Sequence, residues 1–242
     1  MKRPIMNNTT TAVALIGAAV LANAGFTVLG DVFNYPDVLK EPGVEVLRRF
    51  HDNQGTVATW FTVLALSSAL FAPIAVGVGR LRDDAAMKLA VPIGIAAAAV
   101  QVIGLSRWPL LVPGFASDAV GADPTAAAAA VDHFHTAGKV LGTAIGETCG
   151  YALTGAWTLL VVKSLGRRFS GTGFLGKAFS GLGGISAVMI LAGVLSPLDI
   201  DAIDGINFAG YVLWSVWLVW FAVALLRTRS SVREPAMQMV GS

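Results

Sequence analysis

Long apolar runs alternate along the chain with short clusters of charged residues, glycine, proline and asparagine. Six such runs occur, at 11–30, 56–79, 89–113, 137–162, 178–196 and 206–226. A helix crossing the hydrocarbon layer needs roughly 20 predominantly apolar residues, and each run meets that length. The pattern therefore predicts an all-α, polytopic membrane bundle of six transmembrane helices forming one domain over 1–242. The first run has a second reading. Lys2 and Arg3, the apolar stretch 12–22 and Ala22-Asn23-Ala24 have the order of a cleavable signal peptide. Apolar character continues through Phe26, Val28 and Leu29, which favours a retained span.

Two connections are more than turns. In "DVFNYPDVLKEPGVEVLRRFHDNQG", Pro42 is placed to start a short helix running to about Phe50, expected to lie on the membrane interface. In "FASDAVGADPTAAAAAVDHFH", Asp123-Pro124 caps an alanine-rich helix that continues into the fourth run. One straight helix over 125–162 would measure about 57 Å, so it must protrude from the membrane or bend.

Composition agrees with this pattern. With 55% hydrophobic and 13% charged residues, and a mean hydropathy of +0.69, the chain is too apolar for a soluble domain. Placing both termini in the cytoplasm puts 12 of the 17 Lys and Arg residues there, including Lys2, Arg3, Arg80, Arg82, Arg167, Arg168, Arg229 and Arg233. The opposite side then collects Asp31, Asp37, Glu41, Glu45, Asp118, Asp132, Asp199, Asp201 and Asp204. The pI near 8.9 thus reflects loops facing anionic headgroups, and no nucleic-acid-binding motif is present. Cys149 stands alone, which excludes an internal disulfide and a thiolate metal cluster within one chain.

Against this background the ionisable residues within the apolar runs stand out. Glu147 shares a helical face with Thr136, Thr143, Thr154 and Thr158, with Tyr151 one turn on. Beside that stripe Gly138, Gly142, Gly146 and Gly150 recur every four residues, a ridge that lets another helix, or another copy of the chain, approach closely. Glu147 lies about 24 Å before Lys163 along the helix, in the outer half of the membrane. A carboxyl group there must be held neutral or paired with a cation. Arg107, about 28 Å beyond Lys88, is the candidate partner. Alternatively Arg107 snorkels to the outer interface and Trp108 joins an aromatic belt.

Other polar groups fall at the same depth. Asn23, Thr27, Asp31 and Asn34 form one stripe on the first span, Gln101 lies level with Glu147, and His51, Asp52, His133 and His135 stand at the membrane entrance. Together they suggest an outward-opening cavity. A metal centre is poorly served, because positions 133 and 135 point about 200° apart on a helix. Haem ligation lacks a second deep histidine, so no cofactor is expected. Tyr211, Trp214, Trp217 and Phe221 follow helical spacing, suited to packing or to walling a pocket for a flat or isoprenoid-like molecule.

The segments "FNYPDVL" at 33–39, "GLSRWPLLVP" at 104–113 and "GETCGYALTGAWTLLV" at 146–161 resemble an uncharacterised family of small bacterial multi-span membrane proteins, a domain of unknown function. The resemblance runs from the first span through the fifth. It implies a multi-pass protein of the bacterial plasma membrane and no particular activity. By motif, Tyr35, Pro36, Arg107, Trp108, Glu147, Gly150 and Trp157 occupy the family's recurring polar and aromatic positions.

Three functional readings stand. The first is a site for a lipophilic small molecule, with Glu147 as acid or base and Arg107 as its charge partner, joined by Asn23, Asn34, Tyr35, Gln101, Trp108, His135, Thr143, Tyr151 and Trp214. A carboxylic acid kept neutral in an apolar cavity can donate a proton, as small membrane-bound terpene cyclases require of theirs. The second is a proton-linked carrier, which the scarcity of ionisable residues in the inner halves and the lack of an inverted repeat disfavour. The third is a non-enzymatic membrane component that binds lipids, another protein or a second copy. No phosphate loop, dinucleotide fingerprint or nucleophile motif supports another reaction.

Overall fold

A computed structural model describes residues 7–170, 174–198 and 200–238. Lys2, Arg3 and Asp199 lie outside the described residues, as do the side chains of Arg167, Arg168, Asp201, Arg229 and Arg233. The described residues are helical with short connections and contain no strand.

Six helical rods run antiparallel in chain order. The first is α1 (Asn8–Phe33), capped by Asn7, whose side chain accepts from the Thr10 N–H. It ends at Asn34, which takes a left-handed conformation (φ 54°) and returns its N–H to Gly30 and Leu29. After α2 (Gly43–Asp52), the second rod comprises α3 (Gln54–Ala69) and α4 (Phe71–Gly79). Pro73 explains the break between them, since it lacks an N–H and its ring crowds the carbonyl of Ala69.

The third rod, α5 (Ala85–Leu110), starts at Asp84, which caps the Met87 N–H, and passes into α6 (Val112–Ala119). The fourth joins α7 (Pro124–Ala137), a π-helical segment Gly138–Cys149 and α8 (Gly150–Ser170). Next come α9 (Phe174–Ala192) with a terminal 3₁₀ segment Gly193–Leu198, and finally α10 (Asp201–Gln238). Sequential rods pack side by side and α10 packs back on α1, which closes the bundle.

Five helical stretches are long and apolar enough to cross a membrane: Asn8–Phe33, Gln54–Gly79, Ala85–Ala119, Gly176–Leu198 and Ala202–Arg227. The chain is a multi-pass membrane protein. The predicted span 137–162 is helical but is not among these five; its π segment carries Lys139, Thr143, Glu147, Thr148 and three ridge glycines in place of aliphatic side chains.

Two buried clusters divide the bundle. One fills its shaft with Leu15, Ile74, Ala97, Trp157, Phe179, Trp217 and Phe221. The other lies at the end where α1 finishes, called here the cap end, and is built on Trp108. Trp108 has no exposed surface and is ringed by Phe33, Tyr35, Phe50, Phe61 and Phe134, with centroids 4.6–6.2 Å away. The aromatic-belt alternative therefore fails, because α2, α6 and α7 fold over this indole and remove it from any interface. The short helix after Pro42 forms as expected, but its apolar face of Val46, Leu47 and Phe50 is buried in the same cluster.

Candidate functional site

The glycine ridge determines how the fourth rod meets α5. A Cβ at Gly104 would lie 2.7 Å from the Gly146 Cα and 3.0 Å from the Leu141 carbonyl oxygen, so the two backbones touch there. On one side of this crossing Gln101 lies over Gly150. On the other, the guanidinium of Arg107 lies over Gly142, where a Cβ would come within 2.8 Å of Cζ. Three ridge glycines thus receive α5 of the same chain, while Gly138 has open space above it.

Arg107 is therefore buried (7% exposed) and does not snorkel. Its Nη1 donates to the Gly104 carbonyl at 2.6 Å, and its Nε has no hydrogen-bond partner among the described residues. Arg107 and Glu147 line one pocket of about 240 Å³ with Leu39, Trp108, Phe134, His135, Gly138, Lys139 and Thr143. Among the described residues the two charges form no salt bridge. The expected ion pair is replaced by two opposite charges facing a shared space.

His135, Lys139, Thr143 and Glu147 recur every four residues, and the π turn helps to keep them together. In an α-helix each such step drifts about 40°, so the four would wind through about 120°. With i→i+5 bonding a turn holds more than four residues, so the drift reverses sign. Passing from α7 into the π segment thus holds both this polar stripe and the glycine ridge in register with α5. Lys139, Leu39 and Phe134 were not singled out by the sequence. The four-residue repeat through 139 carries the signal for the lysine, whereas Leu39 and Phe134 arrive only through tertiary folding.

The other expected site residues lie elsewhere. Asn23 is exposed and donates to the Ala19 carbonyl of its own helix, Thr27 donates to Asn23, and Asn34 is the exposed cap of α1. Gln101 donates to the Thr154 hydroxyl at 3.1 Å, and Trp214 donates to the Thr158 hydroxyl at 2.9 Å. Tyr151 lies against Tyr211, centroids 5.8 Å apart. These groups make a polar layer deeper in the bundle than the pocket. Tyr35 borders the pocket through Trp108 and Phe61. Burial pushes its phenol up to about 12, with the Glu147 charge adding to the effect and Arg107 opposing it. Among the described residues no three His, Cys, Asp or Glu gather where a metal could bind. His133 instead packs near Phe115, and His135 beside Gly43.

A family model described as a domain of unknown function, DUF4386, matches residues 10–226. The chain belongs to this family. The DUF4386 match takes in every pocket residue and reaches into all six rods. No curated protein and no solved structure matches the chain.

Proposed function

We propose that this protein binds a lipophilic small molecule in the pocket between Arg107 and Glu147. The observation that carries the reading is a buried guanidinium and a carboxyl group that line one cavity with Leu39, Trp108 and Phe134 and, among the described residues, make no salt bridge with each other. Buried charges are ordinarily paired directly, and a polar gap between two of them at membrane depth is a place for a ligand's polar end. Glu147 is then the proton donor or acceptor and Arg107 its electrostatic partner, with Thr143 and His135 at the margin.

In this reading the fourth rod is a sixth span whose polar face turns inward. The termini are cytoplasmic in the bacterial plasma membrane, and the cap end with its pocket faces outward. Arg80, Arg82 and Lys88 at the opposite end support that orientation. A carrier is disfavoured, because beneath the polar layer Trp157, Val161, Leu165, Phe179 and Trp217 pack as an apolar plug.

Filling the pocket tests the reading. Thr143→Trp, at a half-buried lining position, is expected to abolish co-purification of a lipophilic molecule that organic extraction and mass spectrometry recover from the wild type, without shifting the elution peak of the folded protein in detergent. Equal recovery from both proteins would refute it.

A further inference from the structure

Resting on the pocket reading above, we propose that the ligand carries an oxyanion head, a phosphate ester or carboxylate, which Arg107 and Lys139 receive while its apolar body lies along Leu39, Trp108 and Phe134. The lining groups decide the sign of the head. Arg107 and Lys139 contribute two fixed cations, His135 a titratable third, and Glu147 the only carboxyl group. Even with Glu147 ionised and His135 neutral the lining is cationic by one charge.

The arginine is prepared for such a head. It is held by its bond to Gly104 and by the bare surface of Gly142, so its planar fork is oriented before any ligand arrives. The guanidinium lines the pocket, and an oxyanion is the acceptor that it binds with the strongest geometry. The start of α2 packs beside the pocket residue His135. The first residue of α2, Gly43, lies against the imidazole of His135, where a Cβ would come within 2.6 Å of Nε2.

Two groups of opposite sign limit the affinity. Glu147 repels an anion when ionised and donates to it when protonated, and Asp204 lies within electrostatic range of Glu147 without lining the pocket. The head is accordingly placed at the Arg107–Lys139 side. The apolar wall then dictates an amphiphile rather than a free ion.

The test uses the full-length protein in phosphatidylcholine nanodiscs and titrates decyl phosphate and decanol by calorimetry. Decyl phosphate is expected to bind saturably and about tenfold more tightly than decanol, the size of a hydrogen bond to a charged group. Arg107→Gln should remove that preference. Lys139→Gln, at an exposed side chain that leaves the core untouched, should weaken decyl phosphate binding by about threefold and leave decanol unchanged. Competition by inorganic phosphate supports a free amphiphile as ligand, whereas competition only on replacing phosphatidylcholine with phosphatidylglycerol supports a lipid headgroup. Equal affinities for decanol and decyl phosphate would overturn the oxyanion assignment and leave the pocket reading standing. Saturable binding of neither would overturn both.

Discussion

Alanine substitution along the glycine ridge and its partner should give three different outcomes at three positions. At Gly104 the added methyl meets Gly146 Cα at 2.7 Å and the Leu141 carbonyl oxygen at 3.0 Å. Carbon atoms prefer about 3.5–4.0 Å, so the helices must part by roughly 1 Å. Both obstacles are backbone and neither can rotate aside, which places the cost at about 1–3 kcal/mol. At Gly138 a methyl meets nothing within 4 Å, and only the helix-propensity gain of about 0.5–1 kcal/mol applies. Because the same gain accrues at Gly104, the difference between the two variants isolates the overpacking term. At Gly142 the obstacle is the Arg107 guanidinium at 2.8 Å, the far end of a long side chain. That variant should lose less stability than Gly104→Ala but disturb the pocket more. Reversible unfolding in mixed micelles reads the stabilities. If Gly138→Ala proved as damaging as Gly104→Ala, the ridge would not be receiving α5 and the geometry of the pocket would be wrong.

Other expectations follow from the same structure. Trp108→Ala removes the hub of the cap cluster and should destabilise by about 3–5 kcal/mol, with the cap helices gaining hydrogen exchange before the shaft does. Asp84 caps α5 and accepts from Ser164, and these bonds hold its carboxyl below the usual carboxylate range. A depressed folded pKa means stabilisation that is present above the unfolded value and lost as pH falls through the folded one. Asp84→Ala should therefore be less stable than wild type at neutral pH, and the two unfolding curves should converge on acidification below about pH 4. The Tyr35 phenol should ionise only near pH 12, read as the difference between ultraviolet titrations of wild type and Tyr35→Phe; titration near the ordinary tyrosine value would mean that the cap does not enclose it.

Much of the architecture could be read from apolar run length alone, because in a bilayer length and hydropathy are what a span requires. The glycine ridge and the Glu147 stripe were legible for a similar reason, being patterns within one helix. Partners across helices were not. Nothing local told that Gly142 would receive Arg107, or that Trp108 would sit beneath three cap helices rather than at an interface. Periodicity also overstated the first span, where Asn23 and Thr27 spend their hydrogen bonds on their own helix. The π segment escaped as well. Apolar periodicity does not announce its i→i+5 bonding, and the pocket residues Lys139, Thr143 and Glu147 all lie on it.

The central claim is that Arg107 and Glu147 face a ligand rather than each other, and a high-resolution experimental structure in lipid nanodiscs tests it directly. The account predicts elongated density reaching from Leu39, Trp108 and Phe134 to the guanidinium of Arg107, with the Glu147 carboxyl beside its polar end. An empty, closed pocket in which Arg107 and Glu147 make a direct bidentate salt bridge would contradict it.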